Sequence, residues 1–261
     1  MRFVIKIALP SPYSSEKERV SSVLRSGMPA GVLARPHQGI IAALATVLLA
    51  SRLAQAAQPR LLVFLHVAVK QRAFQGELQN ALAGIDVTAV GRIGDFDRAL
   101  NEGADAVLTL PLVLAAHGLG SRLHGRHQGE IDEKYALVAV DTVPDPARVQ
   151  TIGALDLLGR EGTNDFVQKL VGGKRKVERV TKVEDLLPLL QMQRVDAILL
   201  PSRLVAELKA SSRLNLTPRE LTSRVELPAL ASTGAAGDPI VRAVSKLPLN
   251  LSSALGVDEW R

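Results

Sequence analysis

Short apolar runs alternate with amphipathic stretches from Arg60 onward, and this alternation constrains the fold more than any other feature of the chain. Residues 61–65, 86–90 and 106–110 have the length and composition of buried strands, whereas 71–82 has the apolar spacing of a helix. Another helix is predicted at 95–101 and another strand at 135–140. Strands and helices that alternate in this way form parallel sheets flanked by helices, so the sequence predicts an α/β fold.

The alternation restarts after Pro144 and Pro146, which mark the most linker-like segment of the chain. Strands are predicted at 151–155, 176–180, 195–200 and 224–227, and helices at 164–171, 183–191, 202–210 and 239–246. We therefore expect two lobes, the first formed by 58–143 plus 228–261 and the second by 144–227. A cleft between two lobes is a preferred place for a ligand.

Residues 39–50 form an uncharged apolar run with Arg35 before it and the small residues Ala54 and Ala56 after it. The run is shorter than the roughly 20 residues that span a bilayer, and the layout is typical of a signal peptide. We expect a signal peptide at 28–57, cleaved near Ala56 or Ala57, and hence a periplasmic protein. Residues 1–27 are predicted to be a disordered leader or to follow a mis-called start. The alternatives for the apolar run are a core helix or an uncleaved anchor.

The net charge of +6 is concentrated in this N-terminal part. Seven of the 32 Lys and Arg residues and two of the 26 Asp and Glu residues precede residue 58, so 25 basic and 24 acidic residues follow it. A nearly neutral remainder with 3% aromatic residues gives no reason to expect a nucleic-acid partner.

Several reaction classes are disfavoured by the sequence. The chain has no cysteine, which excludes disulfides, thiolate nucleophiles and Cys-ligated zinc. It also has no nucleophile elbow, Walker loop, dinucleotide fingerprint or zinc-protease motif. We therefore expect a binding protein rather than an enzyme.

Two long segments resemble the second lobe of the type II periplasmic solute-binding proteins, the extracytoplasmic components of ABC importers. They are TIGALDLLGREGTNDFVQKL at 151–170 and KVERVTKVEDLLPLLQMQRVDAILLP at 176–201. GADAVLTLP at 103–111 resembles the matching strand of the first lobe, and PIVRAVSKLP with LSSALGVDEW in the tail is similar to the helix that returns to it. Within the family, the likeness is to small phosphate- or phosphonate-type and uncharacterised members.

The resemblance implies a monomer with two lobes, each a mostly parallel sheet flanked by helices, that closes about a hinge on a small ligand. It implies a membrane permease as partner and no cofactor. A sensory or interaction protein of the same fold, reporting to a membrane receptor, is the alternative.

The predicted ligand residues follow strands or begin helices, where parallel folds bind ligands. Unpaired N–H groups at a helix start suit an anion, so Arg160 is predicted to pair an oxyanion, with Thr163 or Asn164 donating hydrogen bonds. Ordinary helix capping is the structural alternative for the last two.

Four further residues follow predicted strands. Thr109 and Ser202 close matching strands of the two halves, and Lys70 and Arg92 follow the first two strands with positive charge. The alternatives are a polar strand end for the first pair and solvated surface bases for the second.

A histidine cluster gives a second alternative function. His117, His124 and His127 lie close in sequence, with Glu130 three residues beyond, in a glycine-rich segment predicted to be a loop. Imidazole and carboxylate groups bind zinc, copper or nickel, so a metal-scavenging protein is the further possibility.

Overall fold

The computed structural model describes residues 58–65 and 71–261. The predicted leader, signal peptide and cleavage site lie outside these residues, and so does Lys70. Within the described ranges, no helix combines the length and the apolar character that are needed to cross a bilayer.

The described residues form eleven strands and eight α-helices. The strands are β1 (Arg60–Phe64), β2 (Asp86–Val90), β3 (Ala106–Thr109), β4 (Ser121–Arg126), β5 (Asp132–Val140), β6 (Thr151–Leu155), β7 (Lys176–Val180), β8 (Ala197–Pro201), β9 (Leu216–Glu226), β10 (Ala229–Ser232) and β11 (Glu259–Trp260). The helices are α1 (Gln71–Ala81), α2 (Ile93–Asn101), α3 (Pro111–Ala116), α4 (Gly159–Val171), α5 (Leu186–Gln191), α6 (Val205–Ala210), α7 (Asp238–Val244) and α8 (Leu249–Ala254).

The first sheet has the strand order β11-β4-β10-β3-β1-β2. β1 is parallel to β2 and β3, and its residues after Arg60 are buried, as are all those of β3. Burial on both faces explains why these strands are continuous apolar runs. β10 pairs antiparallel with β3 and β4, and β11 with β4. This sheet and its helices form the first lobe.

The second sheet has the order β7-β6-β8-β5-β9 and forms the second lobe with α4, α5 and α6. β6 is parallel to β7 and β8, whereas β5 is antiparallel to β8 and β9. The prediction of two α/β lobes is confirmed. Both sheets are mixed, because each receives antiparallel strands beside its parallel ones.

The chain crosses between the lobes at 127–131 and again at 227–228, and the two crossings are joined by a hydrogen bond from Leu227 N–H to the Ile131 carbonyl, at 2.8 Å. The predicted boundary near Pro144 therefore needs correction. β5 lies in the second sheet, since it pairs with β8 and β9, and the proline-rich segment is a loop inside the second lobe.

Two local predictions differ from the structure. The histidine-rich segment was expected to be a loop after a helix end, but it contains β4, which lies between β10 and β11. Helix α4 begins at Gly159, whose φ of +71° suits glycine, and not at Asn164. Asn164 therefore lies in the second turn.

One apolar cluster continues from the first lobe into the second. It includes Phe64 and Leu110 of the first lobe together with Leu155, Leu157 and Leu200 of the second. The facing surfaces of the two lobes are thus packed together through apolar side chains.

Candidate functional site

The carboxyl ends of β1, β3, β6 and β8 meet in an inner cleft between the lobes, where ligands of such folds are expected. The cleft encloses a cavity of about 30 Å³, far below the several hundred cubic ångströms of ordinary ligand pockets. Most of its lining is apolar and comes from both lobes. The lining residues are Phe64, Leu65, Leu110, Glu133, Tyr135, Leu155, Leu157, Pro201 and Arg203.

An ion pair forms the polar end of the inner cleft. Arg203 Nε donates to Glu133 Oε2 at 3.0 Å, and the two side chains are 28% and 13% exposed. Burial raises the pKa of Glu133 above its ordinary value, and the attraction of Arg203 only partly offsets this effect. Burial also raises the pKa of Tyr135, and the nearby negative charge of Glu133 raises it further. The phenol therefore stays neutral at physiological pH.

A larger groove lies at the edge of the interlobe space, where β2 of the first lobe and β7 of the second end. It encloses about 550 Å³, which is the size of a small-molecule site. Arg92, directly before α2, lines it from the first lobe, and Thr181 and Lys182, directly after β7, line it from the second. We call it the interlobe groove.

Some charged side chains of the interlobe groove have no ion-pair partner among the described residues. Arg98 is paired with Asp95 at 3.6 Å, and Glu102 supplies a second carboxylate. Arg92 and Lys182 take part in none of the ion pairs of the described residues, and both are exposed. Two cations from opposite lobes are therefore available to one ligand.

Two predicted ligand residues use their hydroxyl groups for hydrogen bonds inside the protein. Thr109 is buried, and its hydroxyl donates to the Phe64 carbonyl at 2.6 Å. Thr163 is also buried; its Oγ1 accepts the N–H of Leu158 and donates to Asp156 Oδ1, each at 3.0 Å. Both hydroxyls thus stabilise strand and helix ends.

The remaining predicted residues are not brought together. Arg160 is exposed on the first turn of α4 and lines neither the inner cleft nor the interlobe groove. Asn164 is half-buried, and its Oδ1 has no hydrogen-bond partner among the described residues. Ser202 follows β8 but lines a separate pocket beside the two crossings. Arg92, which the sequence left open between a source of positive charge for a ligand and a solvated surface base, lines the groove.

Sequence reasoning missed Lys182, although a usable signal was present. Lys182 follows β7 by two residues, just as Arg92 follows β2 by two residues. Applying the same rule to both repeats finds both cations. Glu133 and Arg203 carried no such signal, because their pairing depends on how β5 and β8 lie side by side.

The three histidines do not form a metal site. His117 contacts the Val113 carbonyl and Asp97, each at 2.9 Å, and His127 lies 3.3 Å from Asp258. His124 is held in β4. Within 58–65 and 71–261, no three His, Asp or Glu side chains are grouped so as to hold a metal ion.

No protein-family model and no curated protein matches the sequence. Solved structures do match, and their likeness concerns the whole two-lobed arrangement. The chain has the periplasmic-binding-protein fold. The periplasmic VFT2 domain of BvgS from Bordetella pertussis gives a TM-score of 0.52 at 13% identity, covering 80% of this chain and 97% of that one.

Two ligand-bound structures give similar agreement. XAC2383 from Xanthomonas citri bound to ATP has a TM-score of 0.53 at 12% identity, covering 78% of this chain and 91% of that one. An arginine-bound mutant of ArgBP from T. maritima has a TM-score of 0.50 at 16% identity, covering 77% and 96%. Because the identities are this low, these matches establish the shared fold alone. The ligand has to be argued from the residues of this protein.

Proposed function

We propose that the protein is an exported solute-binding protein that holds a small anion between its lobes and delivers it to a membrane importer of the ABC class. The observation that carries the proposal is the pair of cations Arg92 and Lys182, which line one groove from opposite lobes without ion-pair partners among the described residues. The arginine- and ATP-bound structures of the same fold support a small-molecule ligand.

An anion between Arg92 and Lys182 would contact both lobes. Such a ligand binds the closed arrangement more tightly than an open one, because opening removes one of the two cations. An anion that bridges the lobes therefore stabilises the closed arrangement, which links binding to the shape that a permease recognises. Phosphate and phosphonate are the first anions to test, given the sequence resemblance.

The test is a thermal-shift panel on the full chain, followed by calorimetry of any hit. The panel contains phosphate, methylphosphonate, sulfate, glutarate and ATP, with arginine as a cationic comparison. A ligand at 100 times its Kd adds about 2.7 kcal/mol of stability, which a melting curve resolves. We expect at least one anion to raise the Tm and arginine to leave it unchanged.

Variants locate the site. Arg92→Gln with Lys182→Gln should weaken binding of the hit at least tenfold. The matched control is Arg72→Gln with Lys209→Gln, which removes the same charge from exposed positions on α1 and α6. If no anion raises the Tm, or if both double variants weaken binding equally, the proposal is wrong.

A sensory or interaction protein is the second candidate, and the inner cleft favours it. Apolar side chains already fill the inner cleft down to about 30 Å³, which leaves little room there for a ligand to be carried. Genomic neighbours separate the two candidates: permease and ATPase genes favour transport, and a sensor-kinase gene favours signalling.

A further inference from the structure

Arg203 connects the two lobes through contacts on both sides of the cleft. It belongs to the turn that follows β8 in the second lobe, and it is paired with Glu133 at the start of β5. Its side chain also lies against Gly256, which follows α8 in the first lobe. A Cβ atom at position 256 would lie 2.5 Å from Arg203 Nε and 2.9 Å from its Cδ. An alanine at position 256 would force the Arg203 side chain to move.

Glu133 lies close to the place where the chain crosses between the lobes. It lies two residues beyond the first crossing, on the strand that pairs with β8. Glu133 and Arg203 line both the inner cleft and a pocket of about 670 Å³ beside the two crossings. The ion pair is therefore the wall between these two spaces.

The contact with Gly256 gives Arg203 a preference for the closed arrangement. If the lobes separate, the Arg203 side chain loses its packing against Gly256, whereas its ion pair with Glu133 lies within the second lobe and is kept. The ion pair therefore fixes where the Arg203 side chain lies. The apolar lining of the inner cleft adds to the same preference, since opening exposes it to water.

We infer that Arg203 is a latch that holds the lobes closed without a ligand, through its contact with Gly256, in a position that its ion pair with Glu133 fixes. The inference goes beyond the proposed function, because it concerns how the lobes are held before any ligand binds and does not depend on which ligand that is. The resting protein is closed, and a variant that displaces Arg203 opens it.

The test is a distance measurement between two spin labels in the full chain by pulsed electron paramagnetic resonance. The chain has no cysteine, so Glu77→Cys on α1 and Asp165→Cys on α4 give one exposed label on each lobe. In the absence of any added anion, we expect one narrow distance. Gly256→Ala should shift most molecules to a longer, broader distribution.

Gly84→Ala is the matched control. Gly84 has a φ of +82°, close to the +77° of Gly256, but no atom lies within 4 Å of the position of its added Cβ. Both substitutions share the backbone cost of an alanine at positive φ, and only Gly256→Ala displaces Arg203. Arg203→Met is the second variant; it keeps the aliphatic stem, loses the charge, and should also lengthen the distance.

Three results would overturn the latch. These are a wild-type distribution that already contains the open distance, a Gly256→Ala distribution equal to that of Gly84→Ala, and an unchanged distance in Arg203→Met. The proposed function fails on different grounds, namely the absence of anion binding that depends on Arg92 and Lys182, so the two ideas are separable.

Discussion

The hydroxyl of Thr163 donates a hydrogen bond to Asp156 Oδ1 at 3.0 Å, across the loop that joins β6 to α4. The Thr163 hydroxyl oxygen also accepts the N–H of Leu158. The other carboxylate oxygen of Asp156, Oδ2, is paired with Arg179 at 2.8 Å. Thr163, which the sequence left open between a ligand contact and helix capping, fixes the loop at which the helix begins.

Thr163→Val should destabilise the protein by about 2 kcal/mol. Valine keeps the shape but leaves the Leu158 N–H without its acceptor, and an unsatisfied buried donor costs about 1–3 kcal/mol. Thr163→Ser keeps the hydroxyl and loses one methyl group, for about 1 kcal/mol. Urea unfolding followed by fluorescence of Trp260, the single tryptophan, measures both. Equal losses in the two variants would show that the hydroxyl makes no structural contribution.

The stability contributed by Glu133 should fall as the pH rises above about 4.5. Burial raises the pKa of Glu133 in the folded state, so the folded protein holds this proton more tightly than the unfolded chain. The stabilisation is complete below the unfolded pKa and is lost as the pH rises through the folded one. The wild type should therefore exceed Glu133→Gln in stability by more at pH 4 than at pH 7.

Urea unfolding at pH 4, 5, 6 and 7 measures this difference. Glu178→Gln is the contrasting variant, because the hydrogen bond from Lys176 lowers the pKa of Glu178, and its stabilisation is lost as the pH falls. A wild-type advantage over Glu133→Gln that stays constant or grows towards pH 7 contradicts the expectation.

The sequence predicted most strands and helices because their apolar spacing is local. β1, β2, β3, β6 and β7 lie within a residue of the predicted ranges. β4, β10 and β11 escaped prediction, since each is held by partners far along the chain. β4 carries His124 and Arg126 in a strand that exists only between β10 and β11. Polar strands whose pairing is non-local leave little trace in local composition.

The candidate site was harder to predict for the same reason. Arg92 was recognised because it follows a strand that is evident in the sequence. Whether a hydroxyl such as Thr109 points to a ligand or to a neighbouring carbonyl depends on packing, which the sequence does not state. The boundary between the lobes was misplaced because prolines at 144 and 146 signal a loop and give no information on strand partners.

Gly125→Ala should destabilise the first lobe by about 1–3 kcal/mol, the usual cost of overpacking. A Cβ at position 125 would lie 2.5 Å from Val257 Cγ2 and 2.8 Å from the Pro228 carbonyl oxygen, which belongs to the second crossing. Gly76→Ala in α1 is the matched control with the opposite sign. No atom lies near its added methyl group, and alanine favours a helix over glycine by about 0.5–1 kcal/mol.

Thermal and urea unfolding of the two variants, side by side, give the comparison. The expected order of stability is Gly76→Ala, wild type, Gly125→Ala. A Gly125→Ala protein as stable as the wild type would mean that β4, β11 and the second crossing are packed less tightly than the distances indicate.

Leu110→Asp should open the cleft without a ligand. Leu110 is 8% exposed and lines the inner cleft from the first lobe, together with Glu133 from the second. A new carboxylate there is poorly solvated and close to a second acid, and separation of the lobes relieves both costs by admitting water. The spin-label pair on α1 and α4 should report a longer distance than in the wild type.

Leu110→Met is the control, since it conserves volume and usually costs less than about 1.5 kcal/mol. It should leave the distance unchanged. A Leu110→Asp distance equal to that of the wild type would show that the apolar lining of the inner cleft does not hold the lobes together.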